Sequence, residues 1–301
     1  MTTTSGRTIQ NRTVLGVVLM LIGLALYPLS DAFVKHLMGT YTVYQTSFLR
    51  SFTRLLPLLV AVFMQGGVKK ILGTSCYKLH AIRLSVNLAY TLLFMFSYTI
   101  ASLTTVYTLS YTSPLFMILL SAILLKESVG KEKWFAVFAG LVGVIIAMRP
   151  GSGVFEMAAF VVLFATFLGA LNKILMRKLA ATEHSLALAV YPNIVMVLAM
   201  APILLFQWQP MPWEHWLLFG IVGIITAAGQ YAIAQALRFA QGSTLAPIDY
   251  SSYFWVIALD FFWWQKAPDL YTICGAVVIV GSNLYILYRT RREQALAKGI
   301  A

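Results

Sequence analysis

Residues 111–127, YTSPLFMILLSAILLKE, and residues 250–266, YSSYFWVIALDFFWWQK, decide how this chain folds. Each opens on a tyrosine followed by two small hydroxyl residues, continues as an apolar helix and closes on a charged loop. The offset, 250 minus 111, is 139 residues, about half the chain, and it holds for every paired position of the two segments. Each segment is followed by a further apolar span rich in small residues, one closing on Arg149-Pro150 and the other on Arg289. An apolar unit written twice is the mark of a membrane protein built by internal repetition, the plan used by many transporters.

Composition supports this. Of 301 residues, 60% are apolar and 11% charged, where a soluble domain carries about 25% charged residues. So little charge cannot cover a water-facing surface, and most of the surface must face lipid. Lipid leaves a loose backbone unsatisfied, so each crossing needs a helix of about 20 apolar residues. The net charge of +12 does not imply nucleic-acid binding, because the basic residues lie between spans and form no single patch. Cys76 and Cys274 lie in different halves, with neither disulfide nor metal-site spacing. The first apolar stretch lacks a small-residue cleavage site and is expected to be a retained span.

Ten helices are predicted, at about 13–38, 41–64, 79–100, 102–125, 131–149, 154–179, 185–207, 213–238, 242–264 and 268–288. Residues 1–12 and 291–301 are read as cytoplasmic tails, 13–150 as a first five-helix repeat and 151–290 as a second. With both termini inside, the inner segments hold Arg7, Arg12, Lys69, Lys70, Lys78, Arg83, Lys126, Lys131, Lys133, Arg177, Lys178, Arg238, Arg289, Arg291, Arg292 and Lys298. The outer segments hold only Lys35, Arg149 and Lys266. This asymmetry sets the orientation. It also inverts the repeat, since the loop at Lys126-Glu127 falls inside and its counterpart at Lys266 outside. Inverted halves give one protein two conformations of similar energy, each open to one side.

Ionisable groups within lipid are costly and mark candidate sites. Arg50 and Arg54 are one turn apart on the second span. Arg50 is read either as a contact for a carboxylate or as half of an internal ion pair. Arg54 is expected to snorkel toward the cytoplasm. Asp31, Asp249 and Asp260 are each read as a solute or proton site or as half of a salt bridge, with Lys35, Arg50 and Lys173 as possible partners. Asp31 and Asp249 are the proton-coupling candidates. Asp249 sits between Pro247 and Tyr250, which suggest an irregular, cavity-lining helix start. Lys173 is expected to snorkel beside Asn172. Tyr90, Tyr98, Tyr107, Tyr111, Tyr250, Tyr253 and Trp255 offer an aromatic wall able to hold an ammonium. Tyr111 and Tyr250, equivalent in the repeat, are expected to face one solute from opposite halves. Gln230 is the buried amide expected at the cavity, while Asn87, Asn193, Gln235 and Asn283 read as interhelical glue. Trp208, Trp213, Trp216, Trp263 and Trp264 suit an interfacial belt. Pro28 and Pro192 are the candidate hinges nearest to mid-span. Gly140, Gly143 and Gly275 allow close helix packing, within the monomer before a dimer seam. His36, His80, His184 and His215 share no ligand spacing, so no metal is expected. Walker, GxSxG and HExxH motifs are missing, so no catalytic residue and no cofactor is expected.

The chain resembles the drug/metabolite transporter superfamily in its ten-helix EamA branch. The resemblance rests on Arg50, on the run from Tyr111 to Glu127, on Gly140 and Gly143 closing at Arg149-Pro150, and on Ala246 to Tyr250, Pro268-Asp269 and Gly275-Ala276. It departs where Gln265-Lys266 replaces an acidic end to the ninth span and Tyr253 replaces the counterpart of Pro114. The resemblance implies an all-α basket around a central cavity, with spans five and ten to one side and solute held among spans one, three, four, six, eight and nine. It implies a multi-pass protein of the bacterial inner membrane, a transporter and not an enzyme. Arg50, Tyr90, Tyr111, Asn172, Gln230, Asp249, Tyr250 and Tyr253 are the expected solute contacts. The expected solute is a small amphipathic or zwitterionic metabolite, an amino acid or derivative first, moved outward by alternating access. The alternative is uptake or exchange of a nucleoside-like cofactor such as S-adenosylmethionine. A membrane enzyme or a non-transporting scaffold is the alternative of another class.

Overall fold

The computed structural model describes residues 3–74, 76–124, 126, 130–148, 154–179, 182–239, 245 and 248–297. Glu127, Arg149, Pro150 and Pro247, all used in the sequence reading, lie outside these. The described helices are α1 (Thr3–Leu37), α2 (Val43–Met64), a short α3 (Val68–Ile71), α4 (Tyr77–Ile100), α5 (Leu103–Ser110), α6 (Ser113–Leu124), α7 (Lys131–Met148), α8 (Val154–Leu179), α9 (Ser185–Gln207), α10 (Trp213–Phe239), α11 (Ser252–Trp264) and α12 (Leu270–Ala297). With α5 and α6 forming one broken span and α3 too short to cross, they make ten spans. No strand occurs among the described residues. The ends differ from the sequence reading: α1 begins at Thr3 and α12 reaches Ala297, so stretches read as frayed tails continue their helices.

The break between α5 and α6 falls at Tyr111-Thr112. Pro114 has no N–H for the Ser110 carbonyl, four residues back, so the helix cannot run through. In the second half Tyr253 replaces that proline, yet a 3-10 turn over Ile248–Ser251 precedes α11 at the equivalent place. The repeat therefore preserves a backbone irregularity although the residue types differ.

Five spans is an odd number, so the second repeat begins on the face where the first ended, and its topology is inverted. Packing carries the same symmetry. The most extensive contacts join α1 to α10, α7 to α12, α2 to α9 and α4 to α8, and a smaller one joins α5 to α11. Exchanging the first five spans with the last five turns the α1–α10 pair into the α4–α8 pair and returns each of the other three to itself. Spans five and ten, α7 and α12, meet through small residues. A Cβ on Gly275 would lie 2.5 Å from Ala147 Cβ and 2.6 Å from the Gly143 carbonyl oxygen. The small-residue seam is thus filled within the chain. Gly275→Val is expected to lower stability by about 1–3 kcal/mol through overpacking. This is read as a lower melting temperature in detergent; unchanged melting would contradict the seam.

Trp208, Trp213 and Trp216 are exposed, as a belt requires, but Trp263 and Trp264 are not. Trp263 packs edge-on against Phe33 at 5.0 Å, and Lys35 lies 5.1 Å over the Trp264 ring. They help to close the end of the bundle where α1 finishes.

Candidate functional site

A cavity of about 780 Å³ occupies the middle of the bundle, lined by α1, α2, α4, α5, α8, α9, α10 and α11. It reaches the end of the bundle where α8 stops and α9 starts, at Met176 and Ser185. At the other end it stops at Asp31, which is 6% exposed. Asp31 Oδ1 accepts from Arg50 Nη2 at 2.5 Å, and Asp31 Oδ2 accepts from the Tyr98 and Tyr107 hydroxyls at 2.8 and 2.7 Å. Arg50 and Asp31 form an ion pair in this structure. Charge-assisted bonds of this kind are about twice as strong as neutral ones, and four donors and acceptors from α1, α2, α4 and α5 are tied at one point.

A second cavity, about 570 Å³, lies beyond this cluster. Its walls include Tyr98, Thr105, Lys35 and Asp260 and the loop from Gln265 to Asp269. Tyr107 faces the first cavity and Tyr98 the second, and both bond to Asp31. The Asp31 cluster is thus a partition between two spaces at opposite ends. Asp260, 1% exposed, lines this second cavity and makes no salt bridge among the described residues. Its carboxylate accepts the N–H groups of Leu103 and Thr104 at 3.2 and 2.6 Å and so caps α5.

Two more guanidinium groups line the larger cavity. Arg54, expected to snorkel, faces the cavity instead, and its Nε has no hydrogen-bond partner. Arg83, counted above with a cytoplasmic loop, lies 2% exposed in the wall. The reason is local. Pro192 has no N–H for the Leu188 carbonyl, and Arg83 Nη2 donates to that carbonyl at 2.9 Å. Pro28 and Pro192, the two proposed hinges, both line this cavity.

Of the expected contacts, Arg50, Tyr90 and Gln230 line the cavity, and so does Asp31. Tyr90 lies against Gly169, where a Cβ would come within 2.9 Å of its ring. Tyr111, Tyr250 and Tyr253 gather elsewhere, at the two helix irregularities. The Tyr111 ring is 5.3 Å from Tyr250 and 5.9 Å from Tyr253. The Tyr111 hydroxyl bonds to Ser252 Oγ at 2.6 Å, and its carbonyl accepts from Asn283 at 2.7 Å. Only Ser252 of this group reaches the cavity wall. Tyr111 and Tyr250 therefore touch each other, where they were expected to face a common solute. Asn172 has a buried Oδ1 without a partner, and its neighbour Lys173 donates to Ser113 at 3.1 Å. Asp249 is exposed on its 3-10 turn, apart from the cavity wall. Residues the sequence reading did not single out as contacts include Tyr27, Asn87, Asn193 and Arg83. Among the described residues no group of three or more His, Cys, Asp or Glu gathers as metal ligands.

The model of the EamA-like transporter family matches residues 14–149 and again 156–288. The chain belongs to the EamA-like transporter family. An S-adenosylmethionine uptake transporter of Rickettsia prowazekii is 24% identical over 281 residues, covering 93% of this chain and 95% of that one. A pseudopaline exporter of Pseudomonas aeruginosa is 23% identical, over 92% of this chain and 97% of that one. A riboflavin transporter of Vibrio cholerae is 29% identical over 191 residues, 62% of this chain and 64% of that one. A solved crystal structure aligns with a TM-score of 0.61 at 15% identity, over 91% of this chain and 96% of that one, and so shares the fold. As an EamA-like protein the chain is a multi-pass membrane transporter of a small molecule, and not an enzyme.

Proposed function

We propose that this protein is a secondary transporter that works by alternating access. The carrying observation is the pair of cavities separated by one hydrogen-bonded cluster on Asp31. Solute enters the larger cavity, the Asp31 cluster parts, and the second cavity becomes the exit. The charge asymmetry of the loops supports a cytoplasmic position for both termini and for the mouth of the larger cavity, in the inner membrane of a bacterial cell. The chain is then inward-open, the state that loads an exporter. The monomer is the expected unit, its α7–α12 seam being already filled.

The first-choice solute is a small amphipathic or zwitterionic metabolite, of the amino-acid class, with Arg50, Tyr90 and Gln230 among its contacts. A second reading, uptake or exchange of S-adenosylmethionine, is supported by the Rickettsia relatives, which align along nearly the whole chain. If transport is proton-coupled, Asp31 is the favoured carrier over Asp249. Protonation there would release Arg50 and two tyrosines at once, whereas Asp249 holds no barrier together.

The test is counterflow in proteoliposomes preloaded with unlabelled amino acids, S-adenosylmethionine or riboflavin. Accumulation of the matching labelled solute is expected for one class only, and is expected to be lost in Arg50→Gln. With an imposed pH gradient, Asp249→Asn should retain any pH dependence and Asp31→Asn should lose it. The reverse outcome would reassign the proton to Asp249.

A further inference from the structure

The charges lining the larger cavity do not balance. Among the described residues its walls carry three guanidinium groups, Arg50, Arg54 and Arg83, and one carboxylate, Asp31. Asp31 is fully committed, one oxygen to Arg50 and the other to two tyrosines, so no carboxylate among the described wall residues is left to receive an ammonium. Arg54 and Arg83 have no carboxylate of their own among the described residues. Arg54 Nε, Arg83 Nε and Arg83 Nη1 are buried without hydrogen-bond partners, and Arg83 spends only Nη2, on the Leu188 carbonyl. Burying a cation without a counter-charge is expensive in a membrane protein, and it marks a pathway or a ligand. A guanidinium fork also matches the geometry of a carboxylate or phosphate. Around these cations the wall is largely apolar, with Leu58, Phe94, Met176 and Met196, which suits an organic body.

We propose that Arg54 and Arg83 form the receiving site for an oxyanion group, carboxylate or phosphate, of the transported solute, so that the cavity selects organic anions over cations. This rests on the transporter reading and narrows it. Amino-acid derivatives with an additional acid group fit; a solute whose distinguishing charge is a sulfonium does not. Among the described residues, all four charged ones in the wall come from the first repeat, while the second contributes neutral ones such as Asn193, Gln230 and Ser252. The repeat supplies the symmetric frame, and one half supplies the charge selection.

The test uses thiol reagents of opposite charge. In a protein with Cys76→Ser and Cys274→Ser, a single cysteine is placed in the cavity wall as Thr91→Cys. Labelling rates are measured with 2-sulfonatoethyl and 2-(trimethylammonium)ethyl methanethiosulfonate, each divided by its rate with a free thiol. The anionic reagent is expected to be favoured. Arg54→Gln and Arg83→Gln should each lower that preference by about tenfold, the order expected for one unit charge nearby in a partly hydrated cavity. Arg54→Lys should restore most of it, which controls for a change in fold. Phenylacetate or phenyl phosphate should slow labelling while phenylacetamide does not, and whichever acid acts more strongly assigns the oxyanion. A preference for the cationic reagent, a preference unmoved by both glutamine variants, or no slowing by either acid would overturn the anion site alone. Absence of labelling by both reagents, from either side of the membrane, would overturn the transporter reading and the anion site with it.

Discussion

Asp31→Asn is expected to cost about 3–5 kcal/mol of stability, the usual penalty for removing one member of a buried ion pair. The variant leaves the Arg50 guanidinium in the bundle without its counter-charge, held by neutral acceptors such as Met95 Sδ at 3.7 Å. The Tyr98 and Tyr107 hydroxyls lose the anion they both serve. The penalty comes from the stranded charge more than from the lost attraction, so Asp31→Asn with Arg50→Gln should recover much of the stability and none of the transport. Melting temperature in detergent reads the first effect and proteoliposome counterflow the second. A single variant that melts with the parent would show that the pair is not buried as described.

Asp260→Ala is expected to have the next largest effect. It strands the N–H groups of Leu103 and Thr104 at the first turn of α5, in a site 1% exposed. Each buried donor left unsatisfied costs about 1–3 kcal/mol. Asp260→Asn keeps one acceptor and should lose less than half as much. Because the cap fixes where α5 begins, and Tyr107 sits one turn along it, transport should fall with stability in both variants. Full stability in Asp260→Ala would mean that water reaches the cap and that this end of the bundle is open.

The spans were legible in the sequence because lipid imposes two simple constraints, helix length and apolar composition. The inverted repeat was legible because YTSPLF and YSSYFW recur at a fixed offset between charged loops. The same symmetry misdirected part of the site reading. It locates backbone features: both paired tyrosines fall at helix irregularities, although 102–125 reads as one unbroken span and the irregular start near Tyr250 is read from Pro247 and Tyr250. It does not locate charge: those tyrosines pack on each other, and the charged wall comes from one repeat. Arg50 and Asp31 stood out because ionisable groups near mid-span demand a partner. Arg83 did not, because a basic residue in the second turn of a helix looks like a loop charge. What holds it inside is the Leu188 carbonyl freed by Pro192, on a helix more than 100 residues away. Trp263 and Trp264 failed for a similar reason. A tryptophan at a span end suits an interfacial belt equally well, and only contact with Phe33 and Lys35 separates the two roles.

The most direct test of the two-state account measures the two ends of the bundle in one preparation. Spin labels at Thr40 and Gln265 report the end closed by the Asp31 cluster, and labels at Tyr77 and Lys178 the end where the larger cavity opens; all four residues are exposed. Pulsed dipolar distances in lipid nanodiscs should show a major population with the first pair close and the second apart. They should also show a minor population with the order reversed, and Asp31→Asn should enlarge it. One unchanging distance at each end, in the parent and in Asp31→Asn alike, would contradict the account.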